Sequence, residues 1–341
     1  MISKAIKWSK KQLKKLFSKL FGREKAGQYV KPTLHAAQSK AYIETVSCKA
    51  DAFHLAIKQL YEEDLQAIFL SQMNKLAPKF RRGKVRLAID RHEIGYYGKK
   101  EGLYIVGTAY GNKSYKKAFD YITVSLLTGK KEERIHLFSL PWHIGQDMVE
   151  SVAKLLKIVK PWFNKIEVVE FDRGFHNNEL IYWLSQHKIP YLIHIPQHEG
   201  EITERLEQTK SFWRGKYSRK FFRKKSGYRM ETNLYVCKNI RGKDWLFVSS
   251  IWFTNKQQLV NLYRNRWQIE TNYAINNQNR IMSKSTNYMI RYFYFLCDIF
   301  LQVLWRIGGN CQLPFKAFLR CFVVDIKQVI EMKPAYTKPP P

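Results

Sequence analysis

The hydrophobic positions of this chain change period along its length. Residues 2 to 21 place Ile2, Ile6, Leu13, Leu16, Phe17, Leu20 and Phe21 on one side of a 3.6-residue repeat and lysines on the other, which predicts a basic amphipathic helix. Helical spacing continues with few breakers from 35 to 78 and ends at a basic turn, Lys79 to Lys84 (KFRRGK). The period then falls to two. Lys84 to Asp90 alternates Val85, Leu87 and Ile89, and Leu103 to Ala109 and Ala118 to Leu127 follow as two more β-rich runs, predicting a three-stranded meander. Gly145 to Val159 returns to helical spacing through Met148, Val152, Leu155, Leu156 and Val159, and stops before Pro161. Ile166 to Phe171 reads as a buried strand, Asn177 to His187 as a helix, and Tyr191 to Ile195, behind Pro190, as another strand.

Three strands followed by alternating helix and strand predict an α/β fold with an RNase H-like core, a mixed sheet flanked by helices. A Lys- and Arg-rich stretch from Glu199 to about Ile251, with β character at both ends, then reads as a β-rich insertion. Helical sequence resumes at Asn255 and runs, with turns, to about Gly308. The expected organisation is a basic helix over 1–25, a helical N-terminal region over 26–83 suited to DNA binding, a catalytic domain over 84–308 with the insertion at about 199–251, and a C-terminal extension with a Pro-rich tail over 309–341. Tyr288 to Ile307 is the most apolar window. Arg291, Asp298, Gln302 and Arg306 fall on one side of it, which predicts a buried amphipathic helix and not a membrane span.

Charge narrows the partner. The 341 residues carry 59 Lys and Arg against 28 Asp and Glu, a net +31, far more than solubility requires. That field selects a polyanion, and nucleic acid is the expected one. The densest basic segment is Lys210 to Arg229, with nine Lys or Arg and six aromatic residues, a mixture that neutralises phosphates and stacks on bases. Lys216, Arg219, Lys220 and Arg223 are its candidate DNA contacts. The basic helix at 1–25 leaves three readings open, along a DNA backbone, against a partner subunit, or on an acidic membrane. Five Cys (48, 237, 297, 311 and 321), an odd number with no C-x-x-C pair, indicate neither a disulfide framework nor a thiolate zinc site and fit a reducing cytoplasm best. Lysines interrupt the first 25 residues, so no secretory signal is expected.

Candidate chemistry sits at strand ends. Asp90 closes the first predicted strand and Asp172 the fourth, so parallel neighbours would bring both carboxylates to one edge, where two acids can share a cation. Asp172 precedes Arg173-Gly174-Phe175, with Gly174 permitting a tight exit, and Asp90 is followed by the Ile94 to Gly98 loop (IGYYG). A third segment, Tyr263 to Asn277, puts Tyr263, Arg266, Glu270 and Asn277 within about 60° on one helix stripe at roughly 100° per residue. Leu262, Ile269 and Tyr273 form the adjacent packing stripe; an Arg266 to Glu270 salt bridge on a solvated face is the plainer reading of the first stripe. Arg266 is placed to pair with a phosphate, Tyr263 to stack on or hydrogen-bond a nucleotide, and Arg173 to touch DNA beside Asp172. His194 and His198 are spaced H-x-x-x-H, but Pro196 between them excludes a helix presenting both to zinc.

Together the three segments, within residues 84 to 308, resemble the DDE transposases of bacterial and archaeal insertion sequences. The likeness is to the group with a Y-x-x-R-x-x-x-E-x-x-x-x-x-x-K signature and a Tyr-Tyr-Gly loop after its first acid. The resemblance implies that Asp90, Asp172 and Glu270 bind two catalytic Mg²⁺ ions, with Mn²⁺ as the alternative, and that Tyr263 and Arg266 are the signature Tyr and Arg. A basic β-rich insertion between the second Asp and the Glu is a trait of the same family. It implies cleavage at element ends and strand transfer by the freed 3′-hydroxyl without a covalent protein intermediate. The implied partners are double-stranded DNA, at element ends and target, and a second copy of the chain, in a prokaryotic cytoplasm at the nucleoid and away from membranes. The signature Lys is replaced by Asn277, with Arg280 and Lys284 as nearby substitutes. That departure keeps two other functions open, a nuclease of the same fold that does not join strands and a decayed or domesticated transposase that only binds DNA.

Overall fold

The apolar stripe at the start of the chain forms helix α1 (Ile2–Phe21), followed by α2 (Arg23–Ser39), α3 (Ile43–Val46), α4 (Ala50–Lys58) and α5 (Glu62–Leu76). Ile6, Leu13, Leu16 and Phe17 are fully buried, whereas Lys4, Lys7, Lys11 and Lys15 stay exposed, as the periodicity predicts. The computed structural model describes residues 2–79, 83–99, 101–107, 114–127, 135–197, 200–223, 226–267, 273–275, 277–308 and 313–323. Two compact units result, one from Met1–Phe80 with Tyr273–Pro341 and the other from Arg81–Asn272.

The second unit is built on one mixed sheet. Its strands are β1 (Lys84–Tyr96), β2 (Val106–Gly107), β3 (Lys117–Leu127), β4 (Ile135–Trp142), β5 (Lys165–Phe171), β6 (Tyr191–His194), β7 (Phe212–Arg223), β8 (Ser226–Ile240) and β9 (Lys243–Ser249). The row runs β3-β1-β5-β6-β9-β8-β7, with β2 and β4 both paired to β3. β3 lies antiparallel to β1 and β4, while β5 and β6 run parallel to β1. The parallel strands are joined through α6 (Met148–Val159) and α7 (Asn178–Gln186). Each of these helices starts on a side-chain cap, Asp147 accepting from Glu150 N at 3.0 Å and Asn177 from Glu179 N at 2.8 Å, contacts worth about 1 kcal/mol apiece.

The meander differs from the sequence reading. Among the described residues the run from Leu103 yields the two-residue β2, and a further long strand is β4, which the alternation did not reveal. Residues 135–141 of β4 are all buried, so the strand shows no polar face and hence no period of two. β1 also continues past Asp90 to Tyr96 along β3, instead of ending in a loop.

The Lys- and Arg-rich stretch begins with a short helix, α8 (Gly200–Gln208), and its described residues then form mainly strands. β7, β8 and β9 form an antiparallel meander that joins the sheet through β9 on β6. Helix α9 (Lys256–Arg264) packs back onto it, burying Leu259, Val260 and Tyr263 against Tyr235, Phe247 and Trp245. Each such aliphatic side chain contributes about 1.5–3 kcal/mol relative to exposure.

The first unit is completed by α10 (Tyr288–Ile307) and α11 (Phe315–Val323). Phe293 of α10 receives Phe17, Phe21 and Phe53 edge-on at 5.8, 5.7 and 5.7 Å, and Tyr29 stacks on Phe53 at 4.3 Å. The polar side expected on α10 is not a solvent face: Asp298 and Gln302 are buried, and Asp298 accepts from Ile281 N at 3.2 Å. Among the described residues no helix is long and apolar enough to cross a membrane.

Candidate active site

β1 and β5 pair in parallel up to Ile89 and Phe171, so the next residues along the two strands are Asp90 and Asp172. The register therefore sets the two carboxylates side by side, as expected, although only Asp172 follows a strand end and Asp90 lies midway along β1. Each is tied to the backbone that follows it, Asp90 Oδ1 accepting from Arg91 N at 2.9 Å and Asp172 Oδ1 from Arg173 N at 2.6 Å.

Arg266 bridges them. Its Nη1 donates to Asp90 Oδ2 at 3.0 Å and its Nη2 lies 3.6 Å from Asp172 Oδ1. The guanidinium also sits over the Tyr263 ring at 5.2 Å, and the Tyr263 hydroxyl points to Asp172 Oδ1 at 3.5 Å. Tyr263 is 1% exposed and Arg266 4%, so these two members of the stripe expected to be free for chemistry are enclosed. The helix assumed to carry it does not run through: α9 stops at Arg264 and passes into a 3₁₀ turn, Asn265–Trp267. That tighter turn still stacks Arg266 on Tyr263, three residues earlier.

His194, at the end of β6, closes another side of the site, its ring 5.4 Å from Tyr263 and 5.6 Å from Phe247. Burial lowers it to about 4, an effect Asp172 opposes and Arg266 and Arg173 assist, so the imidazole is neutral at ordinary pH. Asp90 shifts the other way. Burial raises it to about 6, Arg266 pulling it down and Asp172 pushing it up.

Arg86 is a residue of the site that the sequence reading missed. From β1 its Nε donates to Glu170 on β5 at 2.9 Å, and its Nη2 donates to the Leu262 carbonyl of α9 at 2.7 Å. One guanidinium thus fixes the helix end that delivers Tyr263 and Arg266. Its only sequence signal is a charged residue inside an otherwise apolar strand.

Glu270 and His198 lie outside the described residues. Among the described residues no three His, Cys, Asp or Glu side chains gather closely enough to hold a metal, and Asp90 and Asp172 are the two expected acids that the register brings together. Asn277, Arg280 and Lys284 belong to the unit that contains α10. Asn277 and Arg280 are half-buried and Lys284 is exposed, over the Tyr42 ring at 5.6 Å. Arg173 is exposed beside Asp172.

The four basic residues expected to contact DNA divide between the two faces of the β7–β8 hairpin. Lys216 and Lys220 point with Arg214, Arg229 and Phe222 to the face opposite α7 and α8, and both lysines are exposed. Arg219 and Arg223 point the other way, pairing with Glu201 of α8 at 3.0 Å and Glu179 of α7 at 2.7 Å. The aromatics divide as well: Tyr217 is buried and Phe221 packs on Tyr182 at 5.5 Å, while Phe222 is 79% exposed. Gly215 leaves the space over which the Trp213 ring lies, 2.5 Å from where a Cβ would stand.

No curated protein matches the chain in sequence. In fold it is similar to a piggyBac transposase solved as a synaptic complex with hairpin DNA, with a TM-score of 0.54 and 16% identity over 80% of this chain and 58% of that one. The chain thus spans 58% of the length of that protein. Residues 81–288, which hold Asp90, Asp172, Tyr263 and Arg266, match the family described as Transposase DDE domain, and with more than half of its length so matched the chain belongs to that family.

Proposed function

We propose that this protein is a DNA transposase that cleaves the ends of an insertion sequence and joins them to target DNA by metal-dependent phosphoryl transfer. The observation that carries the reading is the pairing of Asp172, just past the end of β5, with Asp90, midway along the parallel neighbour β1, around one cationic side chain. The order β4-β3-β1-β5-β6, with only β3 reversed, supports an RNase H-like core, and the β7–β9 meander supports the insertion. Tyr263 and Arg266 packed on the aspartates support the Y-x-x-R-x-x-x-E signature of bacterial and archaeal insertion sequences, with Glu270 as third acid.

Two carboxylates turned on one positive group are the hard-oxygen donor chemistry that Mg²⁺ and Mn²⁺ take, and they fit as part of a metal shell. Bound there, divalent ions would supply activation of the attacking water or 3′-hydroxyl and offset charge on the leaving oxygen. Asp90 and Asp172 would hold the ions. Their backbone hydrogen bonds fix which oxygens face the site, and the enclosure by Tyr263, His194 and Phe247 excludes bulk water from one side. A DNA partner is supported by the net charge of +31 and by the DNA in the similar synaptic complex. Two copies pairing two element ends, in a prokaryotic cytoplasm at the nucleoid, complete the reading.

The test is Mg²⁺-dependent cleavage of DNA carrying the element's own ends. Wild type is expected to cut with Mg²⁺ and not with EDTA, and Asp172→Ala to lose about 10³-fold or more. Cleavage retained in Asp172→Ala removes the metal-site model.

The hairpin faces give a second test. Replacing Lys216 and Lys220 by Ala is expected to weaken DNA binding and to lower the slope of log affinity against log salt by about 1 for each phosphate no longer neutralised. Replacing Arg219 and Arg223 instead breaks the pairs to Glu201 and Glu179 and is expected to cost stability, about 0.2–1 kcal/mol per pair, with little change in slope. Equal slopes for both double variants, from anisotropy titrations at several salt concentrations, would show that face does not matter.

A further inference from the structure

We propose that Arg266 is the internal competitor of divalent cations at the Asp90 and Asp172 pair, a charge that holds the two carboxylates together until cations displace it. The proposal rests on the metal-site reading above and adds to it a role for a side chain of this chain. Three observations carry it.

The first is which atoms are used. Arg266 gives one nitrogen to each aspartate, Nη1 to Asp90 Oδ2 at 3.0 Å and Nη2 towards Asp172 Oδ1 at 3.6 Å. The guanidinium is a planar fork, and here its prongs span two strands instead of binding one carboxylate with both. Asp90 Oδ1 already accepts from Arg91 N and Asp172 Oδ1 from Arg173 N, so the backbone takes part of the remaining accepting capacity. A divalent ion shared by the two carboxylates would compete with Arg266 for Asp90 Oδ2 and Asp172 Oδ1.

The second is charge. Two carboxylates side by side repel, and one guanidinium offsets only one of their two negative charges. The arrangement is stable enough to form and remains short of neutral, which is the condition for a divalent ion to replace the arginine.

The third is burial with an exit. Arg266 is 4% exposed, but it follows α9 in a one-turn 3₁₀ segment, and apart from the aspartates its guanidinium is held by the single side chain of Tyr263, through the ring and a hydrogen bond to the hydroxyl. Asp172, its weaker partner, is 40% exposed at the side chain. A rotation of the arginine about its own side-chain bonds towards that open side leaves the backbone where it is. The displaced guanidinium is then free to meet a substrate phosphate, so cation binding would precede and prepare DNA binding at this position.

The experiment is Mn²⁺ binding to EDTA-stripped protein, read by the electron paramagnetic resonance of free Mn²⁺, together with the melting temperature with and without Mn²⁺. Wild type, Arg266→Gln, Arg266→Lys and Asp172→Asn are compared. Arg266→Gln is expected to bind Mn²⁺ about tenfold more tightly, because the closed pair no longer competes. It is expected to melt lower than wild type without Mn²⁺ and to recover most of the difference with it. Arg266→Lys, which keeps the charge but cannot span both aspartates, is expected to fall between, and it stands in if Arg266→Gln does not fold. Unchanged or weaker Mn²⁺ binding in the arginine variants overturns the competitor role. An equal loss of melting temperature with and without Mn²⁺ does the same, since it marks a purely structural pair. If wild type shows no Mn²⁺ site that Asp172→Asn weakens, the metal-site reading itself falls and this proposal with it.

Discussion

Replacing Asp90 by asparagine is expected to lower Mg²⁺-dependent DNA cleavage by about 10³-fold or more while making the metal-free protein more stable at neutral pH. The two effects have one cause. Asp90 is held in a buried place where its charge is unfavourable, raised to about 6 from an ordinary 3.8, with burial the largest contributor. A carboxyl whose folded-state value lies above its unfolded value binds its proton more readily when folded. Stability therefore falls as pH rises from about 4 to about 6 and is level above, by an amount on the order of 2–3 kcal/mol. Asparagine keeps the shape and carries no proton to lose. The variant is expected to match wild type near pH 4, to exceed it above pH 6, and to show a flat profile between. Urea denaturation at a series of pH values, with EDTA present, measures this. A variant no more stable than wild type at pH 7.5 would mean that Arg266 already compensates the charge in full. The cleavage assay separates the second effect: an asparagine oxygen is a poorer ligand than a carboxylate, so a stable but inactive variant places Asp90 among groups retained for chemistry at a cost to stability.

Part of this site is visible in the sequence because the ends of apolar runs are local features. Ile89 and Phe171 end such runs and each is followed by an aspartate, so the pattern and the flanking motifs together single out both acids, although β1 itself runs on past Asp90. What joins them is not local. The contact from Arg266 to Asp90 crosses 176 positions, as does that from Arg86 to Leu262, and no periodicity encodes such a distance. Periodicity also fails where burial is complete. β4 is covered on both faces and shows no alternation, whereas His92 and Glu93 break the pattern of β1 and hide its last residues, although the strand continues beside β3.

The hairpin shows the converse. Composition marks Lys210 to Arg229 as basic and aromatic, and treats Lys216, Arg219, Lys220 and Arg223 alike. A period of two separates them at once, 216 and 220 from 219 and 223, but only when the middle of the insertion is recognised as strand. Acids on α7 and α8 then decide which face is taken up internally. Charge density names a region; register names the residues.

Replacing Arg86 by methionine is expected to cost about 3–5 kcal/mol of stability and to abolish cleavage as well, although Arg86 touches neither aspartate. Glu170 is fully buried beneath it, and removal of the guanidinium leaves that carboxylate in the core without its ion-pair partner. The same change frees the Leu262 carbonyl, the point at which β1 holds the end of α9. The two losses separate in a double variant. Arg86→Met with Glu170→Leu removes both charges and fills the space with apolar atoms, an exchange that is often neutral or stabilising for buried ion pairs. Stability is therefore expected to return close to that of wild type. Cleavage is not, because α9 still lacks its anchor and Tyr263 and Arg266 are no longer delivered to Asp172 and Asp90 at 3.5 and 3.0 Å. Denaturation midpoints and cleavage rates of the single and double variants decide the matter. Activity that returns with stability would reduce Arg86 to a structural ion pair, while stability without activity makes it the residue that positions the arginine of the site.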